Sequence, residues 1–291
     1  MTPSRREIVS AGVLALAPTD PRYPAGLRDL SRPPDPLWVD GDVASLERPA
    51  VAIVGTRRMT GYGERVAREL AMACGAAAVV VVSGLAQGID SAAHRGALDA
   101  GGETIAVLGE SIPTTVATLR GRRRPLLPRI REHGALVSEF AAPFSARPWM
   151  FAQRDATIAA LASVVVVVEA GETSGALITA AHARTLGRRL YAVPGPIGSS
   201  ASVGTNALIA QGIATALVSG DQLLRAVGQS AHARAAPQVD PIIDALRDGP
   251  LALDDLARRL RQPVAQLSLR VAALVLSGAV GTQADGRIAR R

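Results

Sequence analysis

Arg57 and Arg58 are adjacent cations in a loop of small residues, Gly55-Thr56-Arg57-Arg58-Met59-Thr60-Gly61-Tyr62-Gly63, that follows a short β-branched run. Three further stretches share its character: Ser83-Gly84-Leu85-Ala86-Gln87-Gly88-Ile89-Asp90, Gly171-Glu172-Thr173-Ser174-Gly175-Ala176-Leu177-Ile178-Thr179, and Pro194-Gly195-Pro196-Ile197-Gly198. Glycine lets backbone amides come close to a ligand, and a helix starting just after such a loop aims free N–H groups and a positive dipole end at the same place. That chemistry suits anions such as phosphate. Any one of these loops is equally well read as a plain strand-to-helix turn. Four on one edge, one of them carrying two arginines, favour binding.

The same residues offer little to a catalyst. No G-x-G-x-x-G follows the first strand, and the G-x-x-x-x-G-K-[ST] phosphate loop is impossible in a chain without lysine. His94, His133, His182 and His232 are scattered, and only Asp90 and His94 stand at i, i+4; a pair is not a metal site, and this one reads as structural, Asp90 stabilising amides at its helix start and His94 packing a turn later. Ser83 with His94 as base lacks the G-x-S-x-G elbow. Glu139 and Glu169 stand at strand ends with two roles open, proton transfer or holding the glycine loops through their N–H groups. The expectation is a protein that is not an enzyme, with no catalytic residue, no metal and no cofactor.

The elements that must position these loops are legible as short β-branched runs alternating with helical patterns: Ala50 to Val54, Val79 to Ser83, Thr104 to Leu108, Ala135 to Ser138, Val164 to Glu169, Leu190 to Val193 and Ala214 to Val218. Seven strands separated by helices predict an α/β fold, an extended Rossmann-like, doubly wound parallel sheet, whose ligand crevice lies beyond the strands' carboxyl ends. The valines from Val164 to Val168 show no alternation, as expected of a central strand covered on both faces. A Pro-rich entry leads to one short strand at Leu37 to Gly41, and the tail reads as three helices (Pro241 to Leu246, Leu253 to Leu260, Val264 to Ser277) and a hairpin (Val280 to Ile288), the plan of a small winged helix. The expected division is a lead-in over 1–48, a Rossmann-like domain over 49–228, a linker over 229–239 and a winged-helix domain over 240–291.

Charge narrows the partner. The 291 residues carry a net charge of +7, and all 32 basic residues are arginine. A G+C-rich coding bias accounts for the missing lysine, while the net charge still favours a polyanion. A lone Cys74 in an apolar helix reads as core in a reducing compartment, and the longest apolar runs are far too short to cross a membrane. A cytoplasmic, soluble protein is expected.

In order and spacing the motifs resemble the DNA-processing protein A (DprA/Smf) family over about 50–220: Val54-Gly55-Thr56-Arg57, Ser83 to Asp90 continuing to Ala93-His94, Thr104 to Gly109, Ser138-Glu139, Glu169-Ala170 with Ser174 to Ala180, Ala192 to Gly195, and Gly204-Thr205-Asn206. The resemblance implies a dimeric protein that binds single-stranded DNA without sequence preference and helps place a RecA-type recombinase on it, in recombination and natural transformation. Carried over, Arg57 and Arg154 face DNA phosphates while Gly55, Ser83, Gly84, Ser174 and Gly175 shape the pocket, with Arg58, Gly88 and Thr179 alongside. Two departures stand out. The family's Phe-Pro-x-Arg-Asn-Arg stretch is Phe151-Ala152-Gln153-Arg154-Asp155-Ala156 here, losing a cation and gaining an acid; the loop Gly109-Glu110-Ser111-Ile112-Pro113 lacks a second glycine, while Arg120-Gly121-Arg122-Arg123-Arg124 is an unusual basic run, either a compensating DNA contact or a solvated turn. Two rival readings are a nucleotide sensor or hydrolase of the lysine-decarboxylase-like (LOG-type) group, whose Pro-Gly-Gly-x-Gly-Thr loop is missing, and a sequence-specific regulator. The third tail helix, with Gln262, Gln266, Ser268 and Arg270 beside an apolar face of Leu267, Val271, Leu274 and Val275, fits protein docking as well as duplex reading.

Overall fold

The alternation of strand and helix builds a nine-stranded sheet in the computed structural model, which describes residues 12–141, 147–228 and 240–290 apart from 248, 261, 277–278 and 284. The expected linker over 229–239, His232, and parts of the lead-in and tail, Arg261 and Ser277 among them, lie outside the described residues. The chain divides into two compact units, Met1–Arg234 and Ala235–Arg291.

In the first unit the strands are β1 (Val13–Leu16), β2 (Leu37–Gly41), β3 (Ala50–Val54), β4 (Val80–Ser83), β5 (Thr104–Leu108), β6 (Gly134–Ser138), β7 (Val164–Val167), β8 (Arg189–Ala192) and β9 (Thr215–Ala216). The helices are α1 (Gly61–Ala76), α2 (Ile89–Asp99), α3 (Ile112–Thr118), α4 (Leu126–Glu132), α5 (Pro148–Leu161), α6 (Ala176–Thr185), α7 (Val203–Ala210) and α8 (Gly220–Ala226). The order across the sheet is β1-β2-β6-β5-β4-β3-β7-β8-β9. From β6 to β9 the pairing is parallel, as the seven β-branched runs predict, and β1 and β2 add an antiparallel ribbon on the β6 edge. The β1 strand is not anticipated: four residues are too short a run to stand out in the sequence.

Alternate residues of one strand feed opposite cores. Ala52, Val54, Val165 and Val167 join a cluster with Ile158 of α5 and Ala176, Ala180 and Ala183 of α6. Val51, Ile53, Val164 and Val166 join another with Leu70 and Cys74 of α1 and Ala92 and Ala93 of α2. Helices on both faces therefore explain the unbroken valine run. Burial pushes the Cys74 thiol up to about 12, which leaves it inert as a nucleophile. Successive strands run from β3 to β6 on one side and then cross to β7, β8 and β9 on the other, so the reversal falls between β3 and β7. That is where an open parallel sheet leaves its crevice.

The second unit contains α9 (Pro241–Ala245), α10 (Leu253–Leu260), α11 (Val264–Leu276) and an antiparallel pair, β10 (Val280–Thr282) with β11 (Ile288–Arg290). Its core takes Leu267 and Val271 from the face of α11 that the sequence offers for docking. Arg270 is held by Asp240 at 3.0 Å and by Gln262 at 3.1 Å, and Ser268 donates to the Val264 carbonyl. Most of the candidate reading face is thus committed within the unit itself.

His94 ties α2 to the sheet. Its Nδ1 lies 2.7 Å from Thr104 Oγ1, which donates onward to the Val81 carbonyl at 2.6 Å. The hydroxyl proton is spent on Val81, so Nδ1 is the donor and Nε2 carries the lone pair. Nε2 is buried with no hydrogen-bond partner among the described residues, so protonation would place an N–H where none of them offers an acceptor. Burial, reinforced by Arg95 and Arg154, accordingly pushes the imidazole down to about 3. A depressed folded pKa gives stability that is present above the unfolded value of 6.5 and is lost as pH falls toward 3. Urea unfolding at about pH 8 and about pH 5.5 should show wild type losing about 1 kcal/mol more than His94→Gln on acidification. Parallel losses in the two proteins would mean that His94 is protonated in the fold.

Candidate functional site

The loop after β3 is stapled to the end of β7. Thr60 caps α1 by accepting from the Gly63 amide, while the Glu169 carboxylate accepts from the Thr60 amide at 2.9 Å and from its hydroxyl. The Glu169 carbonyl takes the Thr56 amide at 2.7 Å. A Cβ on Gly63 would sit 2.2 Å from Glu169 Oε2, so the glycine is what lets the carboxylate in. Of its two open roles, Glu169 performs the holding one. Glu139 does not hold a glycine loop: it accepts from Gln153 and Thr157 of α5.

Beneath this loop lies a buried charge cluster. The Arg154 side chain is 6% exposed, between Asp155 at 3.2 Å from Nε and Asp90 at 4.0 Å from Nη1. Its Nη1 donates a long 3.4 Å bond to the Val107 carbonyl, and its buried Nε makes no hydrogen bond among the described residues. Asp90 accepts from the Gly84 and Ala86 amides, so it braces the preceding loop rather than the first turn of its own helix. Leu85, between those two residues, has φ +54°, a left-handed backbone uncommon for a residue with a branched side chain. Burial raises both acids against the pull of Arg154; Asp155 reaches about 6, with Asp90 adding repulsion and Arg57 opposing it.

Above the cluster opens a crevice of about 430 Å³ between the ends of β3 and β7, bordered by α5 and α6. Gly55, Arg57, Arg58, Arg154, Ser174, Gly175 and Thr179 line it, as do Phe151 and Asp155. Arg57 and Arg58 are exposed at the lip and make no ion pair among the described residues. The guanidiniums of Arg57 and Arg154 stand 5.7 and 5.9 Å from the Phe151 ring centroid. Phe151 itself packs where Gly109 has no side chain, since a Cβ there would lie 2.5 Å from the ring.

Three expected pocket residues lie behind the crevice, and a fourth lines it at depth. Arg154 lines the floor, as expected, but is buried between Asp90 and Asp155 rather than standing open at the lip; depth depends on how α5 sits on the sheet, which a motif does not state. Ser83 is fully buried and donates to the Ile53 carbonyl at 2.7 Å, far from a nucleophile's exposure and bonded to none of the described histidines. Gly84 makes room for the arginine, since a Cβ would overlap Arg154 Nη1 at 1.4 Å. Gly88, at φ +90°, would place a Cβ 2.3 Å from the Thr56 carbonyl, so it lets α2 start against the β3 loop. These residues support the site from behind. Sequence reasoning missed Asp90 as a counter-ion and Phe151 as a wall; the acid beside Arg154 was the available signal.

The basic run divides. Arg123 donates to the Leu85 carbonyl at 3.0 Å and the exposed Arg120 to the Ala117 and Leu119 carbonyls, and Arg122 and Arg124 are exposed as well. Among the described residues no group of three or more His, Cys, Asp and Glu side chains is placed to hold a metal, and no helix is long and apolar enough to cross a membrane.

Gly84→Ala tests the floor. The added methyl would displace Arg154 from between Asp90 and Asp155, and breaking a buried pair in this way costs about 3 to 5 kcal/mol. Chemical denaturation should show a loss of that order. A change under about 0.5 kcal/mol would mean that Arg154 has another place to go.

The sequence pattern of the family described as DNA recombination-mediator protein A matches residues 15–228. The putative DNA processing protein DprA of Mycobacterium tuberculosis is 41% identical over 264 residues, covering 89% of this chain and 64% of the relative's length. Among solved structures, the X-ray structure of DNA processing protein A from Streptococcus pneumoniae is 32% identical with a TM-score of 0.68, covering 74% of each chain. That of the Helicobacter pylori protein, described for its unique single-stranded DNA binding mode, is 28% identical with a TM-score of 0.66, covering 73% of this chain and 94% of that one. With its crevice at the β3–β7 reversal and its match over most of its length, this chain belongs to the DNA recombination-mediator protein A family.

Proposed function

We propose that the chain binds single-stranded DNA without sequence preference in the β3–β7 crevice and serves recombination without being an enzyme. The observation that carries the reading is the pair of exposed guanidiniums at the crevice lip, Arg57 and Arg58, facing the loop before α6 across a floor that holds a third. Phosphodiesters supply charge at regular intervals and need no base-reading side chains, and the lining offers cations and amides rather than a base code. The Helicobacter pylori relative, named for single-stranded DNA binding, supports the same ligand. Placing a RecA-type recombinase on the strand, action as a homodimer in the cytoplasm, a role in transformation, and a winged-helix identity for the second unit belong to this proposal on family grounds. The three helices and antiparallel pair of that unit are consistent with it. The residues assigned to the strand are Arg57 and Arg58 at the lip, with Gly55, Ser174, Gly175 and Thr179 shaping its walls.

Labelled oligo-dT, compared with duplex across a salt series, tests the reading. Affinity for the single strand should exceed that for duplex and fall steeply with salt. Arg57→Ala should weaken binding about ten- to hundredfold, about 1.5 to 3 kcal/mol, and flatten the salt slope by about one contact while leaving the melting temperature in place. Salt-independent affinity, or unchanged binding by the variant, would rule out this strand path.

A further inference from the structure

The crevice assembles three guanidiniums, Arg57, Arg58 and Arg154, against two carboxylates, Asp90 and Asp155. The two acids are not equivalent. Asp90 is committed to the Gly84 and Ala86 amides and stands 4.0 Å from Arg154 Nη1. Asp155 has the ion pair to Arg154 Nε and no hydrogen bond among the described residues, and its side chain is 13% exposed in the crevice wall. Arg154 Nε in turn makes no well-directed bond to it. The contact is electrostatic and loosely aimed, so an anion entering the crevice meets an arginine whose charge is already taken by a replaceable partner.

Resting on the reading of the crevice as a DNA site, we infer that Asp155 sets its affinity by competing with the strand's phosphate for Arg154, and that a strand enters together with a proton taken up by Asp155. The phosphate brings negative charge beside a carboxylate that burial already disfavours as an anion. The charges facing that carboxylate are Arg154 from its own helix, Asp90 from α2, and Arg57 and Arg58 from the loop after β3, with neutral His94 behind. When Arg154 turns toward phosphate, Asp155 keeps the repulsion of Asp90 and loses its main attraction. The proton comes from solvent, forms an O–H bond on the Asp155 carboxyl, and is released when the strand leaves.

The sign follows from a free-state value of about 6. Below it the acid is neutral before and after binding, and affinity is at its maximum; above it each strand bound must also bind a proton, and affinity falls as pH rises. The full chain and Asp155→Asn are titrated with oligo-dT by calorimetry from about pH 5.5 to 8.5, in buffers of different ionisation enthalpy, which counts protons. Wild type should take up a substantial fraction of a proton near neutral pH. The variant should bind roughly tenfold tighter at about pH 7.5 and lack that uptake, while proton exchange at other groups is common to both proteins. Wild-type binding with no proton uptake overturns the inference whatever the variant does, as does a variant with the wild-type affinity and pH profile; either leaves the DNA reading intact. Absence of oligo-dT binding by both proteins at every pH overturns the DNA reading and this inference with it.

Discussion

Burying the Arg154 guanidinium below the sheet edge imposes conditions that much of the surrounding structure meets. A charge removed from water is costly unless anions and hydrogen bonds replace its hydration, and losing one partner of such a cluster costs several kcal/mol. Asp90 and Asp155 supply the anions. Asp90 must itself be braced, which the amides of Gly84 and Ala86 accomplish, and the loop between them accepts a left-handed Leu85 to present both. Gly84 clears the path of the guanidinium and Gly109 the seat of Phe151. A run of residues that looks like a ligand loop is in large part the housing of one arginine.

The lip works on a different principle. Arg57 and Arg58 stay in water, where isolated cations cost nothing to keep, and their position is secured through the backbone by the Glu169 staple. Rigid support and an unpaired charge at its end are what an anion site needs, because the ligand then bears little of the ordering cost. Floor and lip therefore divide the labour between a charge that is held and charges that are offered.

Most of the sheet was legible because buried parallel strands are written in consecutive β-branched residues: the runs beginning at Ala50, Thr104 and Val164 became strands starting at those residues. The crevice was legible for the same reason, since the loops after such strands share one edge. Depth was not. Arg57 and Arg154 look alike in a motif, yet one is exposed and the other buried, and the difference arises from the packing of α5 over Gly84 and Gly109, which are remote from it in sequence. Ser83 was misjudged likewise, because a serine that ends a strand can point its hydroxyl back at a neighbouring strand as easily as out. In the second unit the apolar face of α11 was visible, but Leu267 and Val271 turn out to cover their own core.

The two ends of the sheet have unequal consequences for self-association. At one end β9 has only two residues, Thr215 and Ala216, too few N–H and C=O groups to template another chain's strand. At the other, β1 presents four residues on the outside of its ribbon with β2. Sheet-to-sheet growth from the β9 end is therefore blocked by brevity, a safeguard against aggregation that needs neither a charged gatekeeper nor a covering helix, and any ordered assembly through that flank has to be made by side chains.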